Sequence, residues 1–281
     1  MQPKTFPPCQ TAMRFVLTLR PLTDRQPLIF NYQYPFMAWI YGRLNDADEA
    51  YANFLHQRGY QSNHSLKNFK HFTFSNFQIA RLAKPIKAGD SCMLLSTEPV
   101  KVLISFFIDK AAEDFIVGLF RNQTLSIYDS AQRASFNIER IESVAGESFG
   151  SKPVLFQTIS PMVIARKKAD DKDEYLSPED PDFATYLAFN LMEKYNSINP
   201  DAIKVDITTA GNLVKFRLIK KDKLKSRLVT IKQDKSSETK VRAYTNFIFE
   251  LTAPPEVLEI GFYGGFGKHN ANGFGCCEVV Q

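Results

Sequence analysis

Hydrophobic positions along the chain change their period several times, and each change predicts an element. Between Met13 and Arg20 they alternate, with Phe15, Leu17 and Leu19 on one face and Arg14, Val16 and Thr18 on the other, the two-residue period of a strand. Apolar side chains then recur three and four apart at Phe36, Met37, Ile40, Tyr41 and Leu44, which predicts a helix over 34–44. A second helix is expected over 46–57, with an acidic first turn that suits the helix dipole and a buried face of Ala47, Tyr51, Phe54 and Leu55. Gly59 is placed to terminate it. Strands are expected at 72–80, 91–97 and 102–107. A helix over 110–122 turns Phe115, Leu119 and Phe120 inward, and strands follow at 125–128 and 135–143.

A polar, glycine-containing stretch at 145–152 divides the chain, and a similar order recurs beyond it. Residues 154–167 read as a strand and 181–196 as a helix bearing Phe183, Tyr186, Leu187, Phe189, Asn190 and Leu191 partly in register. A short edge strand at 205–207, strands at 214–219 and 227–231, and a long alternating strand at 242–252 come next. A last short strand at 257–260 leads into a glycine-rich segment. The first half has the order of a ferredoxin-like (βαββαβ) domain, and the second half, poorer in helix, repeats it. The expected fold is therefore α+β, two tandem ferredoxin-like domains at 13–147 and 148–281, with 1–12 as an N-terminal extension and a glycine-rich loop near the C-terminus.

Composition narrows the function. At 281 residues, 44% hydrophobic and 23% charged, the chain suits a soluble protein of two ordinary domains. Its net charge of +5 is unevenly spread: residues 214–242 carry eleven Lys and Arg against three acids, a local +8 that leaves −3 for the remainder. A basic stripe on a near-neutral body fits a polyanionic partner, and Lys215, Arg217, Lys225 and Arg227 are its candidate phosphate contacts. The four cysteines (Cys9, Cys92, Cys276, Cys277) form no disulfide framework, and with the four histidines they lack metal-ligand spacing, so neither a metal nor a cofactor is expected. Residues 1–12 hold three prolines and no apolar run, unlike a signal peptide. The longest apolar stretch, 102–108, is far below the ~20 residues that span a bilayer, so a cytoplasmic protein without a membrane partner is expected.

The segment 261–275 reads Gly-Phe-Tyr-Gly-Gly-Phe-Gly-Lys-His-Asn-Ala-Asn-Gly-Phe-Gly. Glycines permit positive φ and let backbone amides approach a ligand, and Lys268 makes phosphate the natural one. A P-loop is excluded because Phe262 stands five residues before Gly267 and His269 follows the lysine. A dinucleotide fingerprint is excluded because Asn270 replaces its third glycine and a strand-like Cys-Cys-Glu-Val-Val follows instead of a helix. The spacing Gly-Phe-Gly-x-x-Asn-x-x-Gly-Phe-Gly closely resembles the signature loop of the CRISPR repeat-RNA-processing endoribonucleases, members of the repeat-associated protein superfamily, which are built from two ferredoxin-like domains.

The resemblance implies that Gly265, Gly267, Lys268, Gly273 and Gly275 contact RNA and that the first domain carries a tyrosine–histidine–lysine set. Tyr41 in Trp39-Ile-Tyr41 and His56 in Asn53-Phe-Leu-His56 stand at the family's fifteen-residue separation, and Lys70 precedes Phe72-Thr-Phe-Ser, which looks like the family's strand opening. The sequence departs from the family by an apparent insertion between Arg58 and Phe69. The implied activity is metal-independent cleavage of repeat precursor RNA into guide RNAs. RNA supplies its own 2′-OH nucleophile, so the site needs only a base, a cation for the crowded phosphorane and an acid for the leaving 5′-oxygen. The products are a 2′,3′-cyclic phosphate and a 5′-OH. Histidine is the side-chain type able to transfer protons near neutrality, so His56 can serve as base or acid, and its predicted place at a helix C-terminus favours the acid role. Tyr41 is expected to orient the 2′-OH, or to share the base role if its pKa is lowered, and Lys70 to supply fixed charge. His64 and His71 are second choices, and His269 is expected at the surface of the loop. Repeat RNA is the implied partner, with effector-complex proteins or a second copy of the chain as further partners. The competing reading is a non-catalytic RNA-binding subunit of such a complex.

Overall fold

The computed structural model describes residues 12–62, 67–170, 172–199, 205–231 and 238–280. In the first half, β1 (Met13–Pro21), β2 (Pro27–Ile29), α1 (Gln33–Ala47), α2 (Glu49–Gln57), β3 (Phe72–Phe74), β4 (Gln78–Ile79) and β5 (Cys92–Leu94) follow in order. They are succeeded by β6 (Val100–Phe106), α3 (Asp109–Arg121), β7 (Thr124–Tyr128) and β8 (Arg133–Val144). The main sheet runs β3-β6-β1-β8-β7, with β4 also on β6 and every neighbour antiparallel. Its four framework strands, β3-β6-β1-β8, lie in the second-third-first-fourth order of a ferredoxin-like domain. Central β1 pairs Leu17 with Val102 on one side and Ile141 on the other. Phe15, Leu17 and Leu19 share one core with Phe36, Ile40 and Leu44 of α1 and Phe115 and Leu119 of α3.

The second half contributes β9 (Val154–Thr158), β10 (Ala165–Lys167), β11 (Asp173–Tyr175), α4 (Phe183–Ile198), α5 (Ile207–Leu213) and β12 (Lys215–Lys220). Then come β13 (Lys225–Ile231), β14 (Thr239–Thr245), β15 (Ile248–Thr252), α6 (Pro255–Gly264) and β16 (Cys277–Val279). The sheet β12-β15-β9-β16 has the same second-third-first-fourth wiring. The fold is thus α+β, two tandem ferredoxin-like domains. Strands β13 and β14 form a separate hairpin inserted between the second and third framework strands. The hairpin buries Val229, Ile231, Val241 and Ala243 against Val163 and Phe274, beside Tyr34 of the first domain.

Several sequence expectations are corrected, each for a local reason. The strand expected at 257–260 is part of α6: a four-residue apolar run carries no period of its own, and Pro255 in the first turn pre-sets helical φ. The loop therefore starts at Gly265, and Gly261 lies within the helix. The edge strand expected at 205–207 gives way to α5, opened by Asp206, whose carboxylate accepts the Thr209 amide at 2.7 Å. The long strand at 242–252 is broken at Asn246, which adopts φ 62°, so that its halves β14 and β15 join different sheets. The strand at 154–167 is likewise split into β9 and β10, with Pro161 between them. In 72–80 the ladder stops at Phe74, where the Ser75 hydroxyl accepts the Leu103 amide at 2.9 Å. Phe120, expected inward, is 74% exposed. The helix expected from residue 46 begins at Glu49, because α1 continues to Ala47 and Asp48 caps α2 by accepting the Tyr51 amide at 2.9 Å.

The domain interface uses a residue that the alternation of β1 placed on its polar face. Arg14 is 4% exposed, and its guanidinium donates to the Ser105 hydroxyl (3.1 Å), the Cys277 carbonyl (2.7 Å) and the Phe262 carbonyl (3.2 Å). It also lies 3.7 Å from the Phe262 ring centroid. Backbone carbonyls and an aromatic face thus take up a buried cation, and they tie the first strand of one domain to the last helix and strand of the other. Among the described residues, no helix is long and apolar enough to cross a membrane.

Candidate active site

Three neighbouring elements of the first domain carry the predicted set. Tyr41 rides on α1, whose Ile40 and Leu44 are in the core, and its ring meets His56 of α2 edge-to-face at 5.1 Å. Phe72 of β3 packs on Tyr41 at 5.7 Å. His56 itself is exposed in the last turn of α2. Gly59, at φ 66°, ends that helix through its amide bond to the Phe54 carbonyl (2.8 Å). The insertion that follows does not carry Lys70 away. Tyr60 and Phe69 exchange two backbone hydrogen bonds of 2.8 Å, and Lys70 emerges beside the helix end with its ammonium 3.0 Å from the His56 carbonyl. Burial pushes the Tyr41 phenol well above its usual range, so it remains a protonated donor and the conditional base role disappears. Burial also lowers Lys70 to about 8, so its charge is not fixed but titrates just above neutrality.

The glycine segment is a folded knot of hydrogen bonds. The Asn270 amide donates to the carbonyls of Phe266 (3.0 Å) and Phe274 (2.9 Å), and its oxygen accepts from the Lys194 ammonium at 2.6 Å. Lys194, fully buried on α4, also donates to the Gly265 carbonyl. Outside the knot, the Gly275 amide reaches the Pro161 carbonyl and the Lys268 amide the Val163 carbonyl, both at 2.8 Å. All four of Gly265, Gly267, Gly273 and Gly275 have positive φ and are buried. The space beside Gly273 is filled by the Phe74 ring of the first domain, and the space beside Gly275 by the Phe266 carbonyl. Most of the glycine requirement is therefore met by packing within the protein.

Burial lowers Lys194 from an ordinary lysine value of 10.5 to about 7. Between those values the unfolded chain holds a proton that the folded chain has released, so folding stability rises with pH. Thermal denaturation from pH 7 to 9 should show this rise. In Lys194→Met the part beginning near pH 7 should vanish, leaving the smaller part that Lys70 contributes above about 8.

These two regions, almost 200 or more positions apart in sequence, line one cleft. Tyr41, His56 and Lys70 line a cleft of about 520 Å³ whose opposite wall is the segment from Gly267 to Asn272. Lys268 is half-buried there and 3.3 Å from Asp173. Lys67 and Lys167 also line the cleft and were not singled out from sequence, since isolated lysines carry no signal until a fold gathers them. The lining thus presents Lys67, Lys70, Lys167 and Lys268 against Asp173, a net positive wall suited to a phosphate backbone. His269 lies on the cleft rim as expected of an exposed loop residue. His71 is buried, bonded to the Ser197 hydroxyl at 2.8 Å and pushed by burial and Lys194 down to about 3, whereas His64 lies outside the described residues.

The basic stripe is not gathered into the cleft. Lys215 and Arg217 lie on the edge strand β12, where Arg217 makes a two-pronged pair with Glu250 at 3.1 and 2.9 Å and Lys215 donates to the Gly211 carbonyl at 2.8 Å. Lys225 is exposed on the inserted hairpin, and Arg227 crosses to the first domain to donate to the Phe30 carbonyl at 2.7 Å. Lys232 and Lys235 lie outside the described residues. Contiguity in sequence therefore becomes two separate basic surfaces.

Comparison with known proteins matches both halves. The family model described as CRISPR-associated protein Cas6, N-terminal, matches residues 27–141, and that described as CRISPR associated protein Cas6, C-terminal, matches residues 144–279. The CRISPR-associated endoribonuclease Cas6 1 of Methanocaldococcus jannaschii is 27% identical over 277 residues, covering 96% of this chain and 94% of its own. The CRISPR-associated endoribonuclease-like protein Cas6nc of Pyrococcus horikoshii is 22% identical over 275 residues, covering 96% of this chain and all of its own. A solved Cas6-related structure from Pyrococcus furiosus shares the fold with a TM-score of 0.76 at 20% identity, over 96% of this chain and 99% of that one.

Proposed function

The chain belongs to the Cas6 family of CRISPR-associated proteins, and from that premise we propose that it is an endoribonuclease that cuts CRISPR repeat precursor RNA without a metal ion. The observation that carries the reading is the shared cleft: a tyrosine–histidine–lysine group on one wall and the lysine-bearing glycine segment on the other. RNA drawn along the positive lining brings a scissile phosphate against His56. The 2′-OH attacks the adjacent phosphorus and gives up its proton to water, the P–O5′ bond breaks as the 5′-oxygen is protonated, and the products are a 2′,3′-cyclic phosphate and a 5′-OH.

Each side chain has one role consistent with its surroundings. Exposed His56 transfers a proton, protonating the leaving 5′-oxygen. Tyr41, kept protonated, donates to a ribose or phosphate oxygen and holds the imidazole edge-on. Lys70, cationic below about 8, stabilises charge on the phosphorane. Lys268, positioned by Asp173, holds the flanking backbone from the second domain.

Incubation of end-labelled repeat RNA with the protein in excess EDTA tests the class. One cut per repeat with a cyclic-phosphate end is expected, whereas a requirement for magnesium overturns the mechanism. The pH profile tests the lysine. Because Lys70 loses its proton above about 8, kcat/KM should fall with an alkaline limb near that value, and Lys70→Arg should move the limb upward. A limb that stays in place would remove Lys70 from the transition state.

A further inference from the structure

The same cleft contains two groups that phosphate recognition leaves unexplained. Asn190 on α4 is 7% exposed, and its side-chain oxygen is buried without a hydrogen-bond donor. Asn272, in the helical turn of the glycine segment, has a side-chain oxygen in the same condition. Both residues line the cleft that holds Tyr41, His56 and Lys70. The neighbouring Asn270 is the contrast: it sits in the same segment with both its oxygen and its nitrogen partnered. A buried acceptor without a donor is costly to keep, and natural folds retain one where something else completes it.

The missing partner must donate. Phosphate oxygens only accept, so these two amide oxygens cannot be completed by a phosphate. A ribose hydroxyl offers one proton. The exocyclic amine of adenine, cytosine or guanine offers two, one for each wall, whereas uracil has no amine and presents two carbonyl oxygens that would oppose the two amide oxygens. We propose that Asn190 and Asn272 form a base-reading pair that accepts from the exocyclic amine of one nucleotide beside the scissile phosphate, selecting an amino-bearing base over uracil there. The inference rests on the nuclease reading for its substrate and adds a determinant of where the cut falls.

Asn190 stands one and two turns before Lys194 and Ser197 on a helix whose other buried residues include Leu187 and Leu191. This polar stripe explains how the position is held. Lys194 grips the glycine knot, so the segment that bears Asn272 is joined to the helix that bears Asn190.

The test is a set of repeat RNAs in which each nucleotide flanking the cut is replaced in turn by uracil, measured by single-turnover cleavage and, separately, by equilibrium binding. With the unaltered protein, one position should lose about tenfold or more in rate on replacement by uracil. Asn190→Leu, close in volume, should cut the amino-bearing RNA only as fast as the unaltered protein cuts its uracil counterpart, so that selectivity at that position disappears. Asn272→Ala, on the loop side, should do the same and covers the case in which the buried Asn190 variant does not fold. Undiminished selectivity in either folded variant, or sensitivity to 2′-deoxy substitution with none to base identity, overturns the proposal. If the unaltered protein binds every RNA but cuts none, the nuclease reading fails alone, and the base preference is then decided in the binding series.

Discussion

Replacement of His56 by alanine is expected to lower the single-turnover cleavage rate of repeat RNA by about 10²- to 10⁴-fold while leaving RNA affinity within a few-fold, because a positioned proton-transfer group contributes on that scale. The separation between binding and cutting follows from where His56 sits. It is exposed at the end of α2, and its imidazole packs edge-on against Tyr41 without entering the core. The lysines proposed to grip the backbone, Lys67, Lys167 and Lys268, lie elsewhere in the chain and are untouched by the change. The melting temperature should accordingly hold within a degree or two. Unaltered cleavage by His56→Ala would remove the histidine from the chemistry, and a parallel loss of binding would mean that it grips RNA rather than transfers a proton. The same comparison decides against a purely RNA-binding subunit, which would show no cleavage to lose.

The largest effect on the whole molecule is expected from Gly275→Ala. A methyl group at this position would stand 1.8 Å from the Phe266 carbonyl oxygen, on a backbone already at φ 73°. The left-handed conformation alone costs an alanine ~1–2 kcal/mol. The clash with backbone, which cannot swing aside as a side chain would, adds roughly 1–3 kcal/mol. The knot also loses register: the Phe266 amide bonds the Gly275 carbonyl at 2.9 Å, and Asn270 holds the carbonyls of Phe266 and Phe274. A melting temperature lower by ~5–10 °C is expected in differential scanning calorimetry, with loss of both binding and cutting because the second wall of the cleft goes with the loop. Gly42→Ala is the control. Nothing lies within 4 Å of its added methyl and it is in mid-helix, so it should leave the melting temperature unchanged or raise it slightly. If Gly275→Ala were as silent as that control, the tight packing of the loop around Gly275 would not be what holds the knot.

The two variants fail differently because the cleft has two walls of different origin. One is a set of side chains on helices and a strand of the first domain, where single groups can be removed without cost to the fold. The other is a stretch of backbone whose shape depends on glycine, Asn270 and a buried lysine, where little can be removed without losing the whole.

How much of this was legible in the sequence depended on the range of the forces involved. Strand β1 and helices α1, α2 and α3 follow from local period, since side-chain burial on a single element is decided within a few turns, whereas Tyr41 and His56 were marked by their family-like spacing and meet edge-on only because α1 and α2 pack together. The errors fell on short apolar segments, 205–207 and 257–260, where four or fewer residues have no period to read and capping or proline decides. Phe120 was misplaced for a related reason: the helix period allowed it at the margin of the buried face, whereas α3 buries Ala111, Ala112, Phe115, Gly118 and Leu119 and leaves Phe120 outside. The glycine segment was recognisable as unusual by its spacing, but its glycines suggested open amides for a ligand, whereas the fold fills the space beside them with Phe74 and the Phe266 carbonyl.

By itself the sequence determined the duplicated strand-helix order, the spacing of Tyr41 and His56 and the unusual terminal loop, because helix and strand periods, turn residues and motif spacing are written in neighbouring positions. Only the tertiary structure decided that the two ends of the chain form one cleft, that Lys67 and Lys167 join it, that the basic stripe is split between an edge strand and an inserted hairpin, and that Lys194 and Arg14 are buried without carboxylates beside them. These depend on contacts between residues far apart in sequence, whose energies arise when the two sheets pack and the glycine knot closes between them.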